Sequence, residues 1–281
     1  MSAAERQNAL FRLEMADALR SRWVVFTAAV YGAVFAAFVW LGLRESTVLG
    51  FTGLSRVVLN VANAVVIAVP LVALVASSQS IVRARTTGFF ELVLAQPCRR
   101  QDWLLAVVTS RIVVVLGPLV LLLLMTLIAG AFVGSGDPGL ASLVLRSLAV
   151  TAGLAWAFLG IGLLASSLAP TPERATVYAL LAWLLGTALH DFALIGALLR
   201  FRLAPSAVFA LAALNPVEAA RVALLSGVDP DLGVLGPVGF WLANTFGSKL
   251  TLAVGVGWPL LLGSLAMLWA RRRLARLDLV A

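Results

Sequence analysis

The sequence predicts an all-α polytopic membrane protein: one transmembrane domain over residues 1–281, six membrane-crossing helices, and both termini on the inner side. Three observations predict it. The chain divides into six mostly apolar stretches of roughly 18 to 28 residues, each long enough to cross a hydrocarbon core of about 30 Å. It is 62% hydrophobic and only 12% charged, where a soluble domain would carry about 25% charged residues. Basic residues crowd the segments on one side of the stretches. Soluble enzymes, DNA binders and metal-cluster proteins are thereby excluded.

Residues 5–22 are predicted as an amphipathic helix on the membrane surface. Leu10, Phe11, Leu13, Met15, Ala18 and Leu19 supply its apolar side, and Arg6, Arg12, Arg20 and Arg22 its charges. The run from Val24 to Leu43 is longer than the apolar core of a secretory signal, and Glu5, Glu14 and Asp17 dilute the basic stretch before it. It is therefore read as an uncleaved first span, 24–43. The remaining spans are 57–79, 112–133, 147–168, 177–199 and 251–270.

Orientation follows from counting Arg and Lys between spans. The segments 1–23, 80–111, 169–176 and 271–281 hold 14 of them, against 7 in 44–56, 134–146 and 200–250. The richer set belongs inside, which places the N- and C-termini there. The net charge of +8 accordingly speaks of orientation and anionic lipid, not of nucleic acid. Two inter-span segments exceed turn length. The inner one contains a short helix, 88–97, ended by Pro97. The outer one, 200–250, reads as short helices packed on the outer mouth, with Asn215-Pro216 opening the helix Val217–Leu225 and Gly227 stopping it. No internal repeat is visible, so an inverted-repeat carrier is not favoured.

The chain lacks a G-x-x-x-x-G-K-[ST] phosphate loop; Gly247-Ser248-Lys249 has neither its spacing nor its context. With no H-E-x-x-H, G-x-S-x-G or carboxylate cluster either, there is no self-contained active site, and the chain is not expected to be an enzyme. One Cys (Cys98) and one His (His190) exclude disulfide frameworks and Cys/His metal cages within it.

Polar residues inside spans are costly and mark sites or packing contacts. His190 and Asp191 lie together in the fifth span: a substrate or proton contact on one reading, a hydrogen-bonded packing pair on the other. Asn60 and Asn63, spaced i,i+3, share a face of the second span as pathway lining or as interhelical glue. Arg111 and Arg146, at span ends, are expected to snorkel to headgroups. Gly32 with Ala36, and the Gly255–Gly263 stretch, offer small faces for close helix approach. Trp156, Trp183, Trp241 and Trp258 read as packing or interface anchors.

Residues 80–105 read Ser-Ile-Val-Arg-Ala-Arg-Thr-Thr-Gly-Phe-Phe-Glu-Leu-Val-Leu-Ala-Gln-Pro-Cys-Arg-Arg-Gln-Asp-Trp-Leu-Leu. This resembles the inner loop of ABC-2 type transporter permeases, and the likeness extends to the surface helix, the six spans, the long outer segment and the basic tail Arg271-Arg272-Arg273. Within that superfamily the chain is similar to the permeases that serve copper-site maturation of nitrous oxide reductase. Leu49-Gly50-Phe51, His190-Asp191-Phe192, Asn215-Pro216 with Arg221, Leu225-Ser226-Gly227 and Leu235-Gly236-Pro237 carry that closer likeness.

The resemblance implies a type V exporter-like permease in the bacterial or archaeal inner membrane. It implies two copies as a homodimer, two cytoplasmic ATPase subunits that hold ATP and Mg, and a periplasmic partner outside. This chain itself would carry no cofactor. Gly88, Phe89, Phe90, Glu91, Leu92, Gln96, Pro97 and Arg99 would receive the ATPases, and Asn215, Pro216, Glu218 and Arg221 the outer partner.

Two features depart from the family pattern. Arg83, Arg85 and Thr86 stand where acidic residues usually precede the loop glycine, and Ala106-Val107 where Gly-Lys is usual. Copper is not expected to pass along the chain: Cys98, His190, Met15, Met125 and Met267 include no two with ligand spacing. A stand-alone proton-coupled carrier or membrane assembly factor using His190 and Asp191 is the alternative.

Overall fold

Backbone that crosses lipid must satisfy its own hydrogen bonds, and among the described residues it does so with helices and no strand. The computed structural model describes residues 3–20, 53–96, 98–133, 139–201, 203–229 and 231–276, with scattered positions between 25 and 37. The expected first span, 24–43, lies largely outside the described residues, as does Pro97.

Helix α1 runs Ala3–Arg20. It buries Leu10, Glu14 and Ala18, one residue per turn, while Leu13 and Leu19 stay exposed. The inward stripe thus has a carboxylate at its centre instead of being apolar throughout. Helix α2 (Gly53–Ser78) leads through Gln79 into α3 (Ser80–Thr86). A Thr87-Gly88 turn follows, with Gly88 left-handed at φ 71°, a conformation that favours glycine. Helix α4 is Phe89–Leu94, shorter than the expected 88–97. Helix α5, Arg100–Val133, begins three turns before the predicted span 112–133, because its amphipathic first half packs against α1.

Helix α6 (Leu140–Leu168) is the central element, flanked by α2 and by the last helix, α12 (Gly247–Arg276). Between them, α7 (Pro172–Leu184) passes through a π-turn, Leu185–Leu189, into α8 (His190–Arg200). Thr171 caps α7, accepting from the Arg174 N–H at 3.4 Å, with Pro172 at the first helical position where its missing N–H costs nothing. Among the described residues, five stretches are long and apolar enough to cross a membrane: Asn60–Thr86, Arg100–Ile128, Leu140–Leu168, Pro172–Arg200 and Gly247–Arg276.

Helices α9 (Pro205–Leu214) and α10 (Pro216–Leu225) meet at a 118° bend. Asn215 makes the corner: its Oδ1 accepts from the Val217 N–H at 2.9 Å. A 3-10 turn, Gly233–Leu235, and α11 (Gly236–Thr245) complete the segment. The expectation of short helices on an outer mouth needs correction for α10. Val217, Ala219, Ala220, Ala223 and Leu224 are all enclosed, and the helix packs against α2, α6 and α12 inside the main core.

Small residues let α12 reach these neighbours. A Cβ on Gly263 would meet the Trp156 carbonyl oxygen at 2.5 Å, and one on Gly160 would strike Gly263; only glycines permit that α6–α12 crossing. Trp156 locks it by donating to Ser264 Oγ at 3.0 Å. Gly255 sits as tightly against Ala219 and Ala223 of α10. Gly32, by contrast, has nothing within 4 Å of its Cβ position, so no close approach within the described residues uses it.

Candidate coupling site and a second polar cluster

Helix α4 is amphipathic over six residues. Phe90 and Val93 face inward, while Glu91, Leu92 and Gln96 just beyond it face out; Leu92 is 72% exposed. Gly88 and Phe89 are half-buried, and Arg99 is exposed. The ring of Phe90 meets Trp103 of α5 edge-on, with centroids 4.6 Å apart and planes at 70°, a favoured aromatic geometry. Leu10, Ile81, Leu163, Ala270 and Leu274 close around the pair, so α1, α3, α5, α6 and α12 all contribute to one core beneath α4.

That core has a polar centre. Trp103 is 1% exposed, and its indole N–H donates to Glu14 Oε1 at 2.8 Å. The other oxygen of Glu14 faces Arg111 at 3.6 Å, and Arg111 also faces Asp17 at 3.8 Å. Burial holds the Glu14 carboxyl above the usual carboxylate range, with Arg111 and the Trp103 N–H pulling it back down. Arg6 pairs with Asp102 at 3.3 Å. Helix α1 is thereby tied to the start of α5 at both its ends and its middle. Arg111, expected to snorkel to headgroups, instead works inside this network.

The arginines that depart from the family pattern also find local uses. Arg83 donates to Gln79 Oε1 at 3.0 Å, and Arg85 to the Ala169 carbonyl at 3.3 Å. The second contact meets the carbonyl end of α6, where the helix dipole favours a cation. From α6, Ser166 Oγ accepts the Ile81 and Val82 N–H groups at 2.9 and 3.1 Å, capping α3.

The second site lies toward the opposite end of the bundle. Directly after the π-turn, α8 presents His190 and Asp191; π-turns of this kind recur at functional sites. Arg221 of α10 reaches Asp191 Oδ2 at 3.3 Å and also pairs with Glu218, one turn back on its own helix. His190 is near enough to interact electrostatically with Glu218. Two atoms of this cluster are left over: His190 Nε2 and Asp191 Oδ1 are buried without a hydrogen-bond partner among the described residues. The structure thus merges two sets that the sequence kept apart, the pathway pair and half of the outer-contact set.

Asn215 and Pro216, the rest of that outer set, are buried, and Asn215 serves the α9–α10 corner. They do not stand on an outer surface. Asn60 and Asn63 are half-buried on α2 and make no hydrogen bond among the described residues. Arg146 donates to the Ala223 carbonyl at 2.7 Å, Ser226 Oγ at 2.6 Å, Ser248 Oγ at 3.0 Å and the Ser248 carbonyl at 3.1 Å. It pins α6 to α10 and α12, which corrects the headgroup role expected for it. No group of three or more metal-ligating side chains exists among the described residues.

A bundle of long apolar helices, with a short amphipathic helix seated on a packed core at one end, is the build of a multi-pass membrane protein. The chain belongs to the ABC-2 family of transporter proteins, whose family model matches residues 8–263. It is similar to the probable ABC transporter permease protein NosY of Stutzerimonas stutzeri, 26% identical over 277 residues, covering 94% of this chain and 97% of that protein. It is also similar to the probable ABC transporter permease protein NosY of Pseudomonas aeruginosa, 29% identical over 234 residues, 78% of this chain and 81% of that one.

Proposed function

We propose that the chain is the membrane-spanning half of an ABC transporter energised by two partner ATPase subunits that hold ATP and Mg. The exposed side of α4, with Glu91, Leu92, Gln96 and Arg99, is the receiving surface. The single observation that carries this reading is the path beneath α4. Phe90 bears on Trp103, Trp103 is bonded to Glu14 of α1, and Glu14 faces Arg111 of α5. A push on α4 reaches the surface helix and a span at once, with no soft contact between.

The chain sits N-in and C-in in the inner membrane and pairs with a second copy, forming a homodimer. By its likeness to the NosY permeases it serves nitrous oxide reductase maturation, relaying to a NosD-like periplasmic partner. Copper does not travel along it on this reading, since the described residues hold no group of three or more metal-ligating side chains. Purification of the tagged chain from its native membrane tests the reading. A stoichiometric Walker-containing ATPase should co-purify, and a chain that emerges alone would overturn it. In the reconstituted assembly, Glu91→Ala with Arg99→Ala should leave ATP hydrolysis running while transport falls; unchanged coupling removes the role given to α4.

A second reading draws on the His190–Asp191–Glu218–Arg221 cluster, with its two unpartnered atoms: a proton-coupled carrier or assembly factor. Its signature is transport that persists without ATP and collapses with the proton gradient.

A further inference from the structure

The basic end of α12 lies at the same end of the bundle as α1 and α4, since Leu274 joins the core beneath α4. Two arginine-lined grooves flank this end, and they differ. The first, about 380 Å³, is lined by Arg99, Arg100, Gln101, Leu104, Arg271 and Leu274. Two of its three arginines have work inside the protein: Arg100 donates to the Leu274 carbonyl at 2.6 Å and Arg271 to Gln101 Oε1 at 2.9 Å. The second, about 450 Å³, is lined by Leu265, Leu268, Trp269, Arg272, Arg273 and Arg276. None of its three arginines has a hydrogen-bond or ion-pair partner among the described residues.

The spacing i, i+3, i+4, i+7, i+8, i+11 gathers these six side chains on one helical face. The face is divided along its length. Leu265, Leu268 and Trp269 come first, 55%, 42% and 61% exposed, and they belong to a helix apolar enough to cross a membrane. The guanidinium groups follow within a turn or two. The helix dipole accounts for cations near a C-terminus but not for the apolar floor leading up to them. Unpartnered guanidinium groups at the edge of a low-dielectric layer call for an anion, and their planar fork matches phosphodiester oxygens. An indole one turn deeper occupies the usual depth of interfacial tryptophan. An acidic protein surface would reach the arginines but not Leu265, which lies about 16 Å farther along the helix than Arg276 at about 1.5 Å per residue.

We propose that this groove binds an anionic phospholipid, with its phosphodiester held by Arg272, Arg273 and Arg276 and its acyl chains laid along Leu265, Leu268 and Trp269. The purified full chain in mild detergent is titrated with phosphatidylglycerol and with phosphatidylcholine, reading retained lipid by mass spectrometry. Each of R272Q, R273Q and R276Q should weaken phosphatidylglycerol retention roughly fivefold and leave phosphatidylcholine unchanged; R271Q should match the unaltered chain. Equal loss of both lipids, or no loss of phosphatidylglycerol, overturns the site. If the variants keep the lipid but lose a co-purifying ATPase, the arginines face a protein and the proposal is likewise overturned. Tryptophan quenching in the unaltered chain gives an independent reading. Brominated-chain phosphatidylglycerol should quench more than brominated phosphatidylcholine at equal mole fraction, with the excess absent from W269F; equal quenching overturns the site.

Discussion

Two polar clusters, at opposite ends of the same bundle, are built on opposite plans. Beneath α4, Glu14 has both oxygens engaged, one by Trp103 and one by Arg111, inside a closed apolar core. Between α8 and α10, Asp191 uses one oxygen on Arg221 and leaves the other buried and unmet, as is Nε2 of the neighbouring His190. A buried polar atom without a partner is expensive. The carboxylate of the first cluster is thus fully engaged, although Arg111 Nε beside it is itself buried without a partner among the described residues. The carboxylate of the second keeps a buried oxygen open to a further partner.

The strongest way to break this contrast is to empty the first core. Trp103→Ala removes a side chain that is 1% exposed, together with the donor to Glu14 and the ring against Phe90. The expected loss is about 3–5 kcal/mol, read as thermal unfolding of the purified chain in detergent. Trp103→Phe keeps an aromatic ring against Phe90 but loses the N–H and part of the ring volume, so its cost should be smaller, about 1–3 kcal/mol. Equal costs for the two would mean that the hydrogen bond, and not the packing, holds the core.

The second cluster should respond more mildly. Arg221→Met leaves Asp191 and Glu218 facing each other with no cation between them. Since the three side chains are between 18% and 31% exposed, solvent relieves part of the penalty, and about 1–2 kcal/mol is expected. Adding Asp191→Asn should recover part of the loss, because it removes one of the opposed charges. No recovery in the double variant would show that Arg221 acts alone.

These two clusters also mark the limit of what the sequence made legible. Apolar runs announce helices, so five spans and a short helix near 88–97 could be read from composition and length. That Glu91 and Leu92 lie on the exposed side of α4 agrees with the surface the sequence reading chose there. The buried side of that site was not legible. Glu14 looked like a charge diluting a basic stretch, yet it stands in register with Leu10 and Ala18 at four-residue steps, the one local hint of burial. Its donor, Trp103, lies 89 residues away, and the partners of Arg146 lie 77 to 102 residues away. No periodicity encodes such pairings. The burial of α10 was hidden for a related reason: its alanines suit an exposed helix as well as a tight one, and only Gly255 across the interface decides between them.

Acidity sharpens the comparison at the first cluster. Glu14 is held above its ordinary 4.5, chiefly by burial. A carboxyl with a raised folded-state value stabilises fully below its unfolded range and loses that contribution as pH rises through the raised value. The unaltered chain should therefore lose stability as pH climbs from 4.5 toward neutrality. Glu14→Gln, which still accepts from Trp103, should flatten that slope. A slope unchanged by the substitution would mean that the charge on Glu14 is not desolvated in the folded protein.

The smallest effect on stability belongs to the surface that the first cluster supports. Leu92 is 72% exposed at the outward side of α4 and contributes nothing to the core beneath. Leu92→Ala should shift thermal unfolding by no more than about 0.5 kcal/mol, since alanine serves a helix at least as well. Binding of the partner ATPase should nonetheless weaken, because an exposed apolar side chain on a rigid base is what a docking partner would cover. Trp103→Phe predicts the reverse balance: measurable destabilisation with docking retained. If both variants weaken docking in proportion to their loss of stability, α4 is only reporting the health of the fold. If the two losses separate, the exposed side of α4 meets the partner and the Trp103–Glu14 core carries the displacement onward.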